Sequence, residues 1–167
     1  NGDGKDDVIV GAYVDGNNSL NASGSAFIFF GGITGTKRAD ADADVILDGQ
    51  SAADYFGYSV ASAGDFNGDG KDDVIVGARL ATRGMAGTLQ EGKAFIFFGG
   101  ITGTKRAEAD ANLIIQGDDH VGVLGSSVAS AGDFNGDGKD DVIVGAPQDD
   151  ARVNGVNQDS GRAFIFF

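Results

Sequence analysis

Short apolar runs alternate along the chain with polar, glycine-rich stretches, and the runs repeat. Val74-Ile75-Val76-Gly77-Ala78 stands also at 8–12 and at 142–146. Ala26-Phe27-Ile28-Phe29-Phe30 returns at 94–98 and at 163–167. These runs are too short for helices and rich in Val, Ile and Phe, so they predict strands. One period predicts four: Tyr58 to Gly64, Asp73 to Ala78, Ala94 to Phe98, and Leu113 to Ile115, the last matched earlier by Val45 to Leu47. Val74 and Val76 point one way and Ile75 the other. Phe95 and Phe97 oppose Ile96 and Phe98. A sheet apolar on both faces needs a neighbour on each side. The small residues of the first strand suit the most crowded position, nearest an axis. Only the Ala/Asp-rich stretches 37–44 and 105–111 carry weak helical character, read as a loop or a single turn.

The repetition sets the architecture. Residues 26–39 recur unchanged as 94–107, and Ser59 to Ala78 recurs as Ser127 to Ala146. The period of about 66 to 69 residues matches one four-stranded propeller blade with its loops. The expected fold is all-β: β-propeller blades of four antiparallel strands, about two and a half in this chain. Residues 1–50 read as a partial blade, 51–116 as a complete one and 117–167 as a second partial one. Such a set cannot close a ring of four to eight blades, so exposed apolar faces and open strand edges are expected at both ends. The chain also begins inside a motif. It is therefore expected to belong to a larger propeller or to complete one by association.

The candidate chemistry lies in the loop that precedes the second strand. Asp65-Phe66-Asn67-Gly68-Asp69-Gly70-Lys71-Asp72-Asp73 recurs from Asp133 to Asp141, and in shortened form from Asn1 to Asp7. Asp65, Asn67, Asp69 and Asp73 occupy loop positions 1, 3, 5 and 9, and the Lys71 carbonyl can join them at position 7. Gly68 and Gly70 permit the tight curl. An all-oxygen set with no sulfur or imidazole suits Ca²⁺, with Mg²⁺ the weaker fit. An EF-hand is excluded, because position 12 is Val76 rather than Glu and a strand follows. The rival is a polar Asx-type turn without metal. Against it, aligned carboxylates repel one another when no cation is present.

Charge and composition narrow the classes. The net charge is -13, and the three loops hold eleven of the chain's 25 acidic residues. This balance disfavours nucleic acid and anionic membrane as partners. No Cys is present, so disulfides and thiolate metal sites are excluded. No apolar run approaches a membrane span, and no signal peptide is read. His120 is the only histidine, which excludes a histidine triad or a zinc cluster within one chain. It reads as a solvated loop residue. Lys37-Arg38 and Lys105-Arg106 read as solvating pairs. Asn17-Asn18-Ser19 and Asn21-Ala22-Ser23 fit the glycosylation pattern. No nucleophile elbow or phosphate loop occurs, so no enzyme is expected.

Phe56-Gly57, the Asp65 to Asp73 loop and Gly77-Ala78 together resemble the FG-GAP repeat of integrin α-subunit β-propellers and related bacterial surface proteins. The third unit has Leu124-Gly125 and Gly145-Ala146-Pro147 at these places, and the first has Gly11-Ala12-Tyr13. The likeness covers essentially the whole chain. It implies Ca²⁺ held by Asp65, Asn67, Asp69, Lys71 and Asp73, and by Asp133, Asn135, Asp137, Lys139 and Asp141. The first loop retains Asn1, Asp3, Lys5 and Asp7 but has no position-1 Asp. The likeness further implies a secreted or cell-surface setting. It implies a protein or glycan ligand on the face opposite the calcium loops, with further copies or remaining blades of the same protein as assembly partners.

The loops between second and third strands, 13–25, 79–93 and 147–162, differ most between units and lie on that opposite face. A constant scaffold with variable loops there fits ligand binding, and neutral variation is the plainer alternative. Adhesion, ligand binding or assembly by a non-catalytic, calcium-stabilised propeller is the leading expectation. A subunit of a head-to-tail filament or layer, and an accessory propeller of a secreted hydrolase, are its rivals.

Overall fold

The computed structural model describes residues 1–16, 19–82, 90–117, 122–148, 150–153 and 156–167. His120, Asn17 and Asn18 lie outside them, as do parts of the loops 79–93 and 147–162.

Three antiparallel sheets carry the chain. The first contains β1 (Val8–Ala12), β2 (Ser25–Phe29) and β3 (Val45–Asp48). The middle sheet has the order β4 (Phe56–Gly64), β5 (Asp73–Ala78), β6 (Lys93–Phe97) and β8 (Leu113–Gln116). The third has β9 (Ser127–Gly132), β10 (Asp141–Ala146) and β13 (Arg162–Phe166). The predicted strands are all present, with ends shifted by at most two residues. The Ala/Asp-rich stretches form single four-residue turns, α1 (Ala39–Asp42) and α2 (Ala107–Asp110).

The repeated runs keep the same register. Val74 pairs with Phe97 in the middle sheet, Val8 with Phe29 in the first, and Val142 with Phe166 in the third. The middle sheet is apolar on both faces, as its alternation requires. Val76, Phe95 and Phe97 pack with Ile28, Val45 and Leu47 of the first sheet. Ile75, Ala94 and Ile96 pack with Val142, Val144 and Leu124 on the other side. Phe56 sits at the centre of the first interface at 1% exposure, edge-on to Phe95 at 5.4 Å and to Phe97 at 6.4 Å.

The outward faces of the end sheets are open. Val8 and Val10 are 54% and 45% exposed, whereas Val76, the counterpart of Val10, is fully buried. At the other end Phe134 and Phe167 stack on each other in solvent, 65% and 67% exposed. The middle sheet has the neighbours that such faces require.

Two features depart from four strands per period. Residues 103–106, outside the four expected strands, form β7 (Gly103–Arg106), which pairs in parallel with β3 of the first sheet, Val45 opposite Gly103 and Asp48 opposite Arg106. The variable segment after Pro147 contains a separate hairpin, β11 (Asp150–Val153) and β12 (Val156–Asp159).

The glycines of the paired motifs are where one sheet meets the next. A Cβ on Gly11 would stand 2.1 Å from the Gly57 carbonyl oxygen, and one on Gly77 would stand 2.1 Å from that of Gly125. Gly57 and Gly125 both adopt φ +81, which glycine enters without steric cost. The residues just before Phe56 and Leu124, Tyr55 and Val123, also have positive φ, +57 and +46. For a β-branched or bulky residue that backbone is strained, and it marks the chain's crossing from one sheet to the next.

Candidate metal loops and the tyrosine face

The two full acidic loops each run directly into an interior strand of their sheet. Asp73 begins β5 and Asp141 begins β10, and both side chains are buried, at 0% and 1% exposure. Asp65, Asn67, Asp69 and Lys71 curl back over Asp73. The Asp65 carboxylate accepts from the backbone N–H of Asp69 at 2.8 Å and of Gly70 at 2.9 Å. Asp69 accepts from the Lys71 N–H at 3.0 Å. Asp73 accepts from the Gly99 N–H at 2.7 Å and the Asn67 N–H at 3.2 Å. The Asn67 side-chain amide bridges Asp69 at 3.2 Å and Asp73 at 3.5 Å.

The third loop repeats this arrangement. Asp133 accepts from Asp137 and Gly138 N–H at 2.9 and 3.0 Å. Asp137 accepts from Lys139 N–H at 3.0 Å. Asp141 accepts from Phe134 and Asn135 N–H at 2.8 and 3.2 Å. The Asn135 amide bridges Asp137 and Asp141 at 3.1 and 3.5 Å. In the first loop, Asp3 N–H donates to Asn1 at 2.8 Å and Lys5 N–H donates to Asp3 at 2.9 Å. Asp7 accepts from Gly31 N–H at 2.7 Å and pairs with the Asn1 ammonium at 2.7 Å.

The structure therefore brings positions 1, 3, 5 and 9 of each full loop together through backbone N–H groups and the bridging amide. Among the described residues, no three or more His, Cys, Asp or Glu side chains converge closely enough to form a metal-holding cluster. The electrostatics of the central carboxylate are unfavourable. Burial pushes Asp73 up from its ordinary 3.8, the nearby Asp69 and Asp65 charges add to this, and the Gly99 and Asn67 hydrogen bonds oppose it. For Asp7, burial also acts upward, but the hydrogen bonds from the ammonium and Gly31, with the ammonium's charge, bring it below 3.8.

The donor chemistry fits a hard cation. Asp, Asn and backbone carbonyl oxygens are all present, and a carboxylate oxygen that accepts one N–H keeps a lone pair for a metal. The residues that would hold the ion are Asp65, Asn67, Asp69, Lys71 through its carbonyl, and Asp73, with their counterparts at 133–141.

A second assembly lies on the connections away from these loops, and sequence reasoning missed it. All three tyrosines of the chain converge. The Tyr13 ring lies 5.6 Å from Tyr55 and 5.2 Å from Tyr58, edge-on to each. The Arg79 guanidinium sits 4.5 Å over the Tyr58 ring and donates to the Tyr58 hydroxyl at 2.9 Å. Tyr13 and Tyr58 are 41% and 38% exposed. The available signal was compositional: every strand aromatic is Phe, except Tyr58 in β4, so tyrosine gathers where one unit passes to the next.

Repeated sheets of three or four strands packed face to face, with an acidic loop before the same strand in each unit, define a repeat protein of the propeller class. The FG-GAP repeat model matches residues 56–96 and 124–166. The chain belongs to the FG-GAP repeat family. It is similar to integrin alpha-5 of Xenopus laevis, 37% identical over 141 residues, covering 83% of this chain and 12% of that protein. Integrin alpha-PS2 of Drosophila melanogaster is 37% identical over 113 residues, 66% of this chain and 8% of that one. Integrin alpha-IIb of Mus musculus is 37% identical over 103 residues, 60% and 10% respectively. The chain thus spans only about a tenth of these relatives. Among the described residues no helix is long and apolar enough to cross a membrane.

Proposed function

We propose that this chain is a non-catalytic segment of a calcium-stabilised β-propeller that serves adhesion or ligand binding at a cell surface or in the extracellular space. The observation that carries the reading is a buried carboxylate, Asp73 or Asp141, at the base of each full loop, linked through the Asn67 or Asn135 amide to a second carboxylate, Asp69 or Asp137. A buried charge among like charges is costly unless a counter-ion compensates it. Ca²⁺ supplies that charge and takes six to eight oxygens, more than either turn needs for its own backbone. Rotation of the Asn67 and Asn135 amides would present oxygen in place of nitrogen to the ion.

An extracellular setting is the one that suits the affinity usual for sites of this kind. Calcium sites of extracellular modules have Kd on the order of 10⁻⁴ to 10⁻³ M, which suits millimolar and not cytosolic calcium. A ligand at ~100 times its Kd stabilises the folded form by about 2.7 kcal/mol per site. The expected partner is a protein or glycan on the face of the variable loops, where the tyrosines and Arg79 offer stacking and charge together. Remaining blades or further copies of the same repeats are the expected assembly partners. Thermal melts in calcium and in chelator test the reading. A Tm that rises by several degrees with calcium supports it, and an unchanged Tm overturns it.

A further inference from the structure

Residues 31–38 and 99–106 have the same sequence, Gly-Gly-Ile-Thr-Gly-Thr-Lys-Arg, but different surroundings. The second copy supplies β7, which adds to the outer edge of β3; Gly103 N–H donates to the Asp44 carbonyl at 3.2 Å. The first copy pairs with no strand among the described residues, and its Ile33 is 44% exposed. Ile101, the counterpart of Ile33, packs on the core between the first and middle sheets. The acceptor side shows the same contrast. Val45, at the start of the covered strand β3, is 1% exposed, while Leu113, at the start of β8, is 36% exposed. β8 is the last strand of its sheet, with β6 as its one strand partner among the described residues.

We propose that the free edge of β8 is a docking site for a Gly-Gly-Ile-Thr-Gly-Thr-Lys-Arg connector of another repeat unit, which adds in parallel as β7 adds to β3. The inter-sheet geometry favours this occupant. The third sheet meets the middle sheet as the middle sheet meets the first, since Gly77 abuts the Gly125 carbonyl as Gly11 abuts that of Gly57. A connector leaving the third sheet after Phe167 would therefore reach β8 as residues 99–106 reach β3. The register places Leu113, Ile114, Ile115 and Gln116 opposite Gly, Thr, Lys and Arg. In β8 the N–H groups of Leu113 and Ile115 face β6, since Gly117 N–H bonds to Gly92. Those of Ile114 and Gln116 face outward and stand ready for the incoming strand.

The connector is also prepared for docking. Gly35 has φ +75 in the unpaired copy and Gly103 has φ +67 in the paired one, so the turn before the strand exists without a partner. Strand addition of this kind draws its affinity from main-chain hydrogen bonds and its selectivity from alternate side chains. Here the apolar anchors would be the Ile of the connector and Leu113. This deepens the assembly part of the function proposed above, but it stands on strand pairing alone. Calcium binding and connector docking can therefore fail separately.

The test extends the 167-residue chain after Phe167 with Gly-Gly-Ile-Thr-Gly-Thr-Lys-Arg-Ala. Amide hydrogen exchange is then followed at Ile114 and Gln116, in calcium and in chelator. The expected result is exchange slowed by tenfold or more at these two amides. The effect should be absent with a scrambled extension, and with Val in place of the last Gly of the connector, the counterpart of Gly103, because Val does not readily take the positive φ. Equal exchange with and without the extension overturns the proposal. Equal protection by the scrambled sequence overturns it as well.

Discussion

Gly77→Ala adds one methyl group, and its cost depends on the neighbouring sheet. The new Cβ would stand 2.1 Å from the Gly125 carbonyl oxygen and 2.3 Å from the Ser59 hydroxyl. The hydroxyl can rotate away, but the carbonyl belongs to the backbone crossing between sheets. Gly145 is the same position one unit later. Its Cβ would meet the Ser127 hydroxyl at 2.3 Å, with no carbonyl of a further sheet within reach. The pair therefore isolates the inter-sheet contact. Relieving it requires the two backbones to part by roughly 1 Å, within the range of overpacking that costs about 1–3 kcal/mol. The gain in backbone entropy on replacing Gly is common to both sites and cancels. For a chain of this size that difference lowers Tm by roughly 2–12 °C. Gly11→Ala, 2.1 Å from the Gly57 carbonyl, should resemble Gly77→Ala. Thermal unfolding of the three variants at one fixed calcium concentration is the assay. If Gly145→Ala proves as costly as Gly77→Ala, the glycine does not serve sheet-to-sheet approach and the reasoning fails.

Other outcomes follow from the same interfaces. Phe56→Ala should cost about 3–5 kcal/mol by urea unfolding, since it empties the centre of the first interface, whereas Phe56→Leu should cost under about 1.5 kcal/mol. The third unit places Leu124 at the equivalent position, 3% exposed. Asp54 predicts a pH dependence. Burial foremost, with the Glu108 charge, raises its carboxyl to about 6 from 3.8, against the opposing pull of Lys93 and Ser51. Its folded pKa lies above the unfolded one, so its contribution is complete below 3.8 and is lost as pH rises through about 6. Asp54→Asn should flatten the fall in Tm across that interval; an unaltered slope assigns it to other groups. Arg79→Ala should change Tm by only about a degree or two in a thermal melt, because its stacking on Tyr58 is partly solvated; a larger fall would mean that the contact holds the two units together.

Much of the fold was legible because the repeats carry their pattern in short, strongly apolar runs. Val74 to Ala78 and Ala94 to Phe98 are read directly as two-sided strands, and the structure pairs them in the expected order. The curl of Asp65 to Asp73 was legible too, since carboxylates and glycines alternate at fixed spacing. The strand β7 was not. Gly-Thr-Lys-Arg has no apolar alternation, and it becomes a strand only because β3 offers an edge; the identical residues 35–38 pair with no strand among the described residues. The role of Gly11 and Gly77 was equally hidden, because close approach between sheets leaves no periodic trace. The tyrosine cluster joins residues 13, 55, 58 and 79, brought together by stacking of units rather than by any local motif.

Calcium titration by calorimetry tests the central claim most directly, run on the native chain and on Asp69→Ala and Asp137→Ala. Asp69 lies on the exposed rim of its loop, so its loss leaves Asp73 and the strand entry in place. Two sites per chain are predicted, from loops 65–73 and 133–141, with each variant losing one. Absence of binding heat at millimolar calcium, or a stoichiometry that neither substitution changes, would contradict the assignment of these loops as the calcium sites.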